Sequence, residues 1–598
     1  MRIVLAGNPN VGKSTVFNAL TGMHQKTGNW PGKTVGAARG SFTADGVRHE
    51  LIDLPGTYSL TPHSEEERIT SDYLRGSTYD AAIVVCDAGC LERNLILAAQ
   101  IAGLCGRVLL CVNLCDEAKR RGIRLDLSEL SRRLSVPVVG ITARRRRDIR
   151  RLRQAVSLLA GQALRPEHYL LSTAQAVMVA ETACAACVEK SPRAALIPGL
   201  ADRLLTGKLT AFPVMLLLLG LIFYLTMRGA NYPSELLSAF LLHLGDSLKG
   251  TVLTAGLPPV LCSVLFDGVW RTTAWVVGVM MPPMLIFFPL FTFLEDLGYL
   301  PRVVFNLDRC FQGARSCGKQ ALTICEGFGC NAVGVTGCRI IDSPRERLIA
   351  ILTNSLIPCN GRLPTMMLMI TMFLTVSPLG SAGILTAVIV LGIAVTLLLS
   401  RLLSATLLKG QPSSFVLELP PYRLPQPGRI LVRSFLDRGI FVLGRAVTVA
   451  APAGVVLWLM THVTLGNVPL LTAASDFLDP LGRLMGLNGV ILLAFVLSMP
   501  ANEMCIPVIF MAYTATGILA APADTAGLHT LLAQHGWTAV TAVNTVLFSL
   551  THWPCLTTLL TIRKETGSLR WTLLAFWLPT AAGFCLCMLV NLFLRFVI

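Results

Sequence analysis

The sequence predicts a multidomain chain of two unlike classes. An α/β domain of alternating strands and helices comes first, followed by an all-α polytopic membrane domain with inverted repeats and re-entrant hairpins. Three observations carry this prediction. Most acids and nearly all charge runs lie before about residue 210, and apolar runs of membrane-spanning length follow. Within that apolar half, "ICEGFGCNAVGV" (324–335) places glycines, an acid, an asparagine and two thiols together. Backbone that leaves a regular helix inside hydrocarbon must find polar partners, so such a stretch belongs where protein covers it or where it lines a polar cavity.

Composition agrees with that division. The 598 residues are 53% hydrophobic and only 14% charged, which is too apolar and too long for one soluble domain. "MRIVLAGNPN" has neither a basic leader nor a long apolar run, so the first part is expected to stay in the cytoplasm. The net charge of +16 and the run "RRRRDIRRLRQ" (144–154) raise a nucleic-acid reading. The excess near apolar spans instead fits cytoplasmic loops, and no nucleic-acid partner is expected. The eighteen cysteines are read as reduced thiols, free to bind metal, because the chain lacks the profile of a small disulfide-framed secreted domain.

The elements of the first part follow in order. "RIVLA" reads as a strand running into "GNPNVGKST", which opens a helix. In this strand, GxxxxGK[ST], helix arrangement, Gly7 and Gly12 let the loop that also holds Asn8, Pro9, Asn10 and Val11 wrap phosphates with backbone N–H groups. Lys13 reaches the terminal phosphates, and Ser14, beside Thr15, offers a hydroxyl to Mg²⁺. "HELIDLP" delivers Asp53 and Gly56, the first to support Mg²⁺ through water and the second to sense the γ-phosphate with its amide. "RVLLCVNLCD" delivers Asn113 and Asp116, and Asp116 matches the paired N–H donors of guanine. "PVVGITA" ends in Thr142 and Ala143, placed for a backbone contact to the guanine carbonyl. Four such loops after four strands predict an α/β P-loop GTPase domain.

Two features bear on catalysis. Thr57 stands where Ras-like enzymes keep the Gln that orients the attacking water, which predicts slow intrinsic hydrolysis or another device. Asn10 is that candidate device, since an Asn at this place in potassium-activated GTPases holds K⁺ where an arginine finger would act. Thr34, in "GNWPGKTVG", is the switch threonine expected on Mg²⁺. Lys13, Thr34, Asn10 and Gly56 form the expected catalytic set, with GTP, Mg²⁺ and K⁺ as ligands.

The second part reads as spans near 211–228, 272–294, 347–376, 380–408, 440–465, 538–562 and 571–597, with re-entrant hairpins at 320–342 and 488–518. Basic residues in 295–346 and 409–439 put both segments on the cytoplasmic side. "NSLIPCNGRLPTMMLMI" (354–370) resembles "FSLTHWPCLTTLLTI" (548–562), each preceded by a broken segment with an acid and a cysteine. That predicts repeats of about 272–408 and 440–597, inverted in the membrane, with the substrate site at the breaks. Cys330, Asn331, Cys359, Glu503, Cys505 and Cys555 are the expected metal ligands there, with Glu326 and Glu503 as ligands or proton carriers. Thiolate with carboxylate and amide oxygen suits a borderline-soft divalent ion better than Mg²⁺ or Ca²⁺. "CAAC" (184–187), Cys310, Cys317, Cys585, Cys587 and the methionines at 366, 367 and 369 read as packing.

"GNPNVGKSTVFNALTG", "GNWPGKTVG", "DLPGTYSL", "CDAGCLERNL" and "DRLLTGKLTAFPVMLLLL" resemble the ferrous iron transport protein B (FeoB) family. "GFGCN" and "IPCNGRLP" resemble its paired cysteine gate motifs, and "FLEDLGYLPR", "ANEM" and "HWPCLTTLLTIRKETGS" have its character. The likeness covers nearly the whole chain. It implies GTP-dependent Fe²⁺ uptake across a prokaryotic cytoplasmic (inner) membrane by a multi-pass protein whose GTPase domain faces the cytoplasm. The implied organisation is a GTPase domain (1–155), a helical linker domain (156–208) shorter than the family's, and a transport domain (209–598). The family's "GFGCNVPA" is here "GFGCNAVGV", without the proline. Small cytosolic accessory proteins and a homo-oligomer are compatible with the resemblance, and no residue specifies either. A transporter of Mn²⁺, Zn²⁺ or a nucleoside, or a membrane-anchored signalling GTPase without transport, remain the alternatives.

Overall fold

Strand β1 (Arg2–Gly7) is buried from its second residue onward, which is why "RIVLAG" is continuously apolar instead of alternating. In the computed structural model it lies inside a six-stranded sheet of order β2-β3-β1-β4-β5-β7. The structure describes residues 1–9, 11–23, 38–61, 65–76, 79–160, 171–190, 200–207, 209–341, 343–374, 377–410, 422, 427–434, 436, 439, 441–466, 468–515, 519 and 525–597. These form two compact units, Met1–Arg203 and Leu204–Ile598.

In the first unit, β2 (Ala38–Ala44) runs antiparallel to β3 (Val47–Asp53), and β3 runs parallel to β1. On the other side β4 (Ala81–Asp87), β5 (Val108–Asn113) and β7 (Val138–Gly140) continue the parallel sheet. Val4 sits between Ile52 and Ala82, so the carboxyl ends of β1, β3 and β4 share one edge, where α/β sheets bind ligands. The four strands expected from sequence are joined by β2 and β4. Strand β4 carries no loop motif of its own, but its "AAIVVC" is wholly buried and supplies the middle of the core.

Helix α1 (Lys13–Thr21) opens directly after the first loop. Helices α2 (Glu65–Gly76), α3 (Leu91–Leu104), α4 (Cys115–Arg120) and α5 (Leu127–Leu134) follow in the connections. Helix α6 (Arg146–Ala160) begins in the arginine run and buries Ile149, Leu152, Val156 and Leu159 at helical spacing. The run is thus largely the solvated face of an amphipathic helix. Helix α7 (Thr173–Cys187) starts with a Ser172–Gln175 capping box and packs on α3. Its Cys184 and Cys187 form no disulfide and are buried in the apolar cluster of the sheet. Short strands β6 (Ile123–Leu125) and β8 (Val188–Lys190) pair antiparallel.

The second unit is helical. Among the described residues, five helices are long and apolar enough to cross a membrane, and a pair bent by 111° (Leu470–Leu484 with Gly489–Leu497) makes up to six. Helix α8 (Ala211–Thr254) continues well past the expected 211–228. Its 44 residues would reach about 66 Å, against about 30 Å of hydrocarbon. Helix α9 (Pro259–Leu297) follows. The hairpin expected at 320–342 is helix α10 (Gln320–Gly329), a break at Cys330, and α11 (Asn331–Gly337). Cys330 is extended, at φ −156° and ψ 124°.

The expected span 347–376 is not one helix. Helix α12 (Pro344–Thr353) ends in a 3-10 turn, residues 357–362 are non-helical, and α13 (Leu363–Leu374) resumes. Pro358, which has no N–H to donate, and the Gly361 position make this break. Helix α14 (Gly380–Ala405) is long and apolar enough to span. The stretch 488–518 is α15 (Gly489–Leu497), a break at 498–504, and α16 (Cys505–Thr514). Pro500 lies in the break, whereas Pro507 is tolerated in the first turn of α16. Helix α17 (Ala539–Thr551) is followed by non-helical residues 552–555 containing Pro554, then α18 (Leu556–Thr566) and α19 (Leu569–Val597). The expected span 440–465 is the helix Phe441–His462, whose apolar part, Ala446–His462, is short.

Candidate functional site

The loop between β1 and α1 is drawn tight by glycine. Gly12 has φ 85°, and a Cβ there would meet the side-chain amide of Asn113; a Cβ at Gly56 would meet the backbone of Pro9. Gly12 therefore needs a residue without a side chain, and Gly56 is closely packed on Pro9. Lys13 Nζ donates to Asp53 Oδ1 at 2.5 Å and to the Leu54 carbonyl. Burial pushes the Asp53 carboxyl above its ordinary value, and the Lys13 ammonium pulls it back. Asn8 is buried with its Oδ1 unpartnered, and Ser14 opens the first turn of α1. Asp53 and Ser14 supply the hard oxygen donors that Mg²⁺ takes, beside a lysine suited to phosphate, so these residues fit a magnesium nucleotide.

The remaining loops converge on the same edge. Asn113, fully inside, donates from Nδ2 to the Val11 carbonyl at 3.0 Å and accepts from the Ala143 amide at 3.1 Å. One side chain thus ties the phosphate loop to the base loop. Asp116, in the first turn of α4, accepts from Thr142 Oγ1 at 3.4 Å, and the Thr142 amide donates to Asp148 at 3.0 Å. Leu114, at φ 62°, turns the chain between these two residues. Thr57 is wholly buried and donates its hydroxyl to the Ser59 carbonyl at 2.7 Å, so it does not present a group to an attacking water. Asn10 and Thr34 lie outside the described residues.

In the second unit the helix breaks bring thiols together. Cys330 lies within electrostatic reach of Cys555 and Cys359, and Cys555 within reach of Cys359 and Glu503. Asn502 Nδ2 faces Cys359 Sγ at 3.6 Å, and its Oδ1 lies 3.3 Å from His552 Nε2. Cys555 Sγ lies 3.1 Å from Thr558 Oγ1. The Glu503 carboxylate sits against Gly361, where a Cβ would collide with it. Asn331, with its amide nitrogen turned to acceptors, donates to the Gly327 and Ile357 carbonyls at 3.0 and 3.2 Å and ties the first hairpin to the first break.

Two expected residues have other neighbours. Cys505 is buried in the apolar cluster beside Ser498. Glu326 lies against Gly337 near Cys325 and Cys338. Among the described residues no three His, Cys, Asp or Glu side chains are close enough to hold one ion jointly. Cys330, Cys359, Glu503 and Cys555 thus stand at four separate helix breaks, and the four-thiol ligand set expected from sequence is not assembled among the described residues.

Sequence reasoning did not select Arg362 or His552. Arg362 is 1% exposed and donates to four carbonyls, those of Ser355, Leu550, His552 and Trp553. The signal was present, since a single arginine between apolar runs is costly unless it is working.

Three comparisons bear on these sites. Residues 1–156 match the family described as ferrous iron transport protein B, and 385–437 match its C terminus. Residues 277–374 and 443–569 match a family described as nucleoside recognition. Relatives named Fe(2+) transporter FeoB include one from Campylobacter jejuni, 28% identical with 96% of each chain covered. Another, from Staphylococcus aureus, is 28% identical with 97% of each covered. A solved cytosolic domain of L. pneumophila FeoB is 30% identical, with a TM-score of 0.28, 32% of this chain and 100% of that one covered.

Proposed function

The chain belongs to the ferrous iron transport protein B family, and from that premise we propose that it takes up Fe²⁺ across a prokaryotic cytoplasmic membrane under the control of GTP. Its amino-terminal domain is a GTPase, and its carboxyl-terminal part is a multi-pass membrane domain. The observation that carries the reading is the pairing of a guanine-nucleotide site on the sheet edge with buried thiols at helix breaks in an apolar unit.

The residues divide the work. Gly7 to Thr15 cradle the phosphates, Lys13 exchanges Asp53 for the terminal phosphates, and Asn113 holds the loop while Asp116 selects guanine. Ser14, Asp53 and Thr34 are the proposed holders of Mg²⁺, which when bound neutralises phosphate charge. Since Thr57 is turned inward, hydrolysis needs charge from elsewhere. Asn10 is proposed to hold K⁺ for that purpose. GTP turnover is expected to rise when K⁺ replaces Na⁺; equal rates in both salts remove potassium from the scheme. Gly56 and Thr34 report the γ-phosphate.

Cargo is proposed to pass Cys330, Cys359 and Cys555, with Asn331 and Glu503 nearby and Cys505 supporting the second hairpin. The proposed domains are 1–155, 156–208 and 209–598, with repeats of about 272–408 and 440–597. The matching order of break, Pro-Cys break and long helix in each half supports the repeats. The GTPase domain is placed in the cytoplasm.

The test is anaerobic Fe²⁺ entry into liposomes carrying the whole chain, with GTP or GDP on the GTPase side and Mn²⁺ and Zn²⁺ as competitors. GTP-dependent entry favouring Fe²⁺ is the expected result. GTP hydrolysis without entry of any metal would leave the GTPase and remove transport by this chain alone.

A further inference from the structure

The four carbonyls that Arg362 holds come from the ends of two helices. Ser355 lies in the 3-10 turn that ends α12, and Leu550, His552 and Trp553 stand at the end of α17. Their distances from the guanidinium nitrogens are 2.9, 2.8, 3.1 and 3.0 Å. The last carbonyls of a helix have no partner within it and carry the negative end of its dipole. Two such ends converging in an apolar unit make a cradle for a cation, the arrangement by which half-helix carboxyl ends hold alkali ions in transporters. Here a cation of the protein fills it. Among the described residues no ion pair to Arg362 is found, and the four carbonyl dipoles are its polar partners.

The cradle lies beside the thiols. The Arg362 amide donates to the Cys359 carbonyl at 2.9 Å, and Cys555 follows Trp553 by two residues. Both thiols lie within electrostatic reach of the guanidinium. We propose that Arg362 is a tethered cation that occupies the carbonyl cradle between the two helix breaks and thereby sets selectivity at Cys359 and Cys555. This rests on the thiol-lined path proposed above. With the cradle filled, Na⁺, K⁺, Mg²⁺ or Ca²⁺ finds no free oxygen cage there and meets a fixed positive charge. A thiophilic divalent ion gains sulfur ligands that offset that repulsion. The sequence separation of the cradle's parts, 188 residues between Arg362 and Leu550, means the selectivity element exists only when both halves are assembled.

The test uses the full chain and two readouts. In detergent, R362Q is expected to gain a Ca²⁺- or Na⁺-dependent rise in melting temperature that wild type lacks, because ion binding to the emptied cradle stabilises the folded state. In liposomes, R362Q is expected to admit Ca²⁺ about tenfold or more faster than wild type, once the opposing charge is gone. R362K keeps the charge, so it is expected to remain insensitive to Ca²⁺ in both assays while melting earlier, since an ammonium cannot span four carbonyls. R362Q without any ion-dependent stabilisation overturns the proposal. So does a Ca²⁺ response in R362K, which is the decisive variant if R362Q does not fold. Failure of wild type to move Fe²⁺ counts against the transport reading alone, because the melting assay needs no flux.

Discussion

At the scale of single residues, Asn113 and Arg362 play parallel parts in the two units. Each is buried and joins segments that are remote in sequence, Asn113 through Val11 and Ala143, and Arg362 through Ser355 and the end of α17. A buried polar group that loses its partner costs about 1–3 kcal/mol, more for a charge, so both positions are sensitive. Asp116 differs, since beyond its contact with Thr142 Oγ1 its proposed partner is the nucleotide base. Guanine offers it two donors, and hydrogen bonds to a charged group contribute about 1.5–3 kcal/mol each. Asp116→Asn is therefore expected to weaken GTP binding by about 10²–10⁴-fold and to favour xanthosine triphosphate, whose ring carbonyl accepts from the new amide. Competition binding with the two nucleotides measures it, and unchanged preference would remove Asp116 from base selection.

At the scale of elements, the breaks matter more than the helices. Helices α12 and α13, and α17 and α18, are each a helix interrupted by a Pro-Cys segment, and the interruption frees the carbonyls and positions the thiols. Gly361 sits in the first break with the Glu503 carboxylate where its Cβ would be. Overfilling such a contact costs about 1–3 kcal/mol. Gly361→Ala is expected to lower the melting temperature and Fe²⁺ entry together. Gly383→Ala, in α14 with open space around the position, is expected to leave entry intact, because alanine favours helix by about 1 kcal/mol over glycine. Equal melting and entry for the two variants would mean that the Gly361 contact is loose.

At the scale of the whole molecule, two compact units divide nucleotide chemistry from the thiols, so damage to one should spare the other's own chemistry. Cys359→Ser or Cys555→Ser is expected to abolish Fe²⁺ entry with GTP turnover within twofold of wild type; uptake at the wild-type rate in both would reduce the thiols to packing. What the sequence by itself determined is the class of each part and the nucleotide loops. Strand-loop-helix chemistry is local: Gly12, Lys13, Asp53, Asn113 and Asp116 announce themselves by spacing within a few residues of a strand end. The apolar runs were legible as runs, but five to six helices of spanning length among the described residues stand where seven spans were expected. Only the tertiary structure decided that Asn113 braces two loops, that Thr57 faces inward, that Cys505 is buried in an apolar cluster, and that α8 runs on past its first apolar segment. It also decided that Arg362 closes on carbonyls 188 to 191 residues away. The reason is physical: a buried polar side chain takes its partners from whatever backbone ends the fold leaves open, and those ends are neighbours in space but not along the chain.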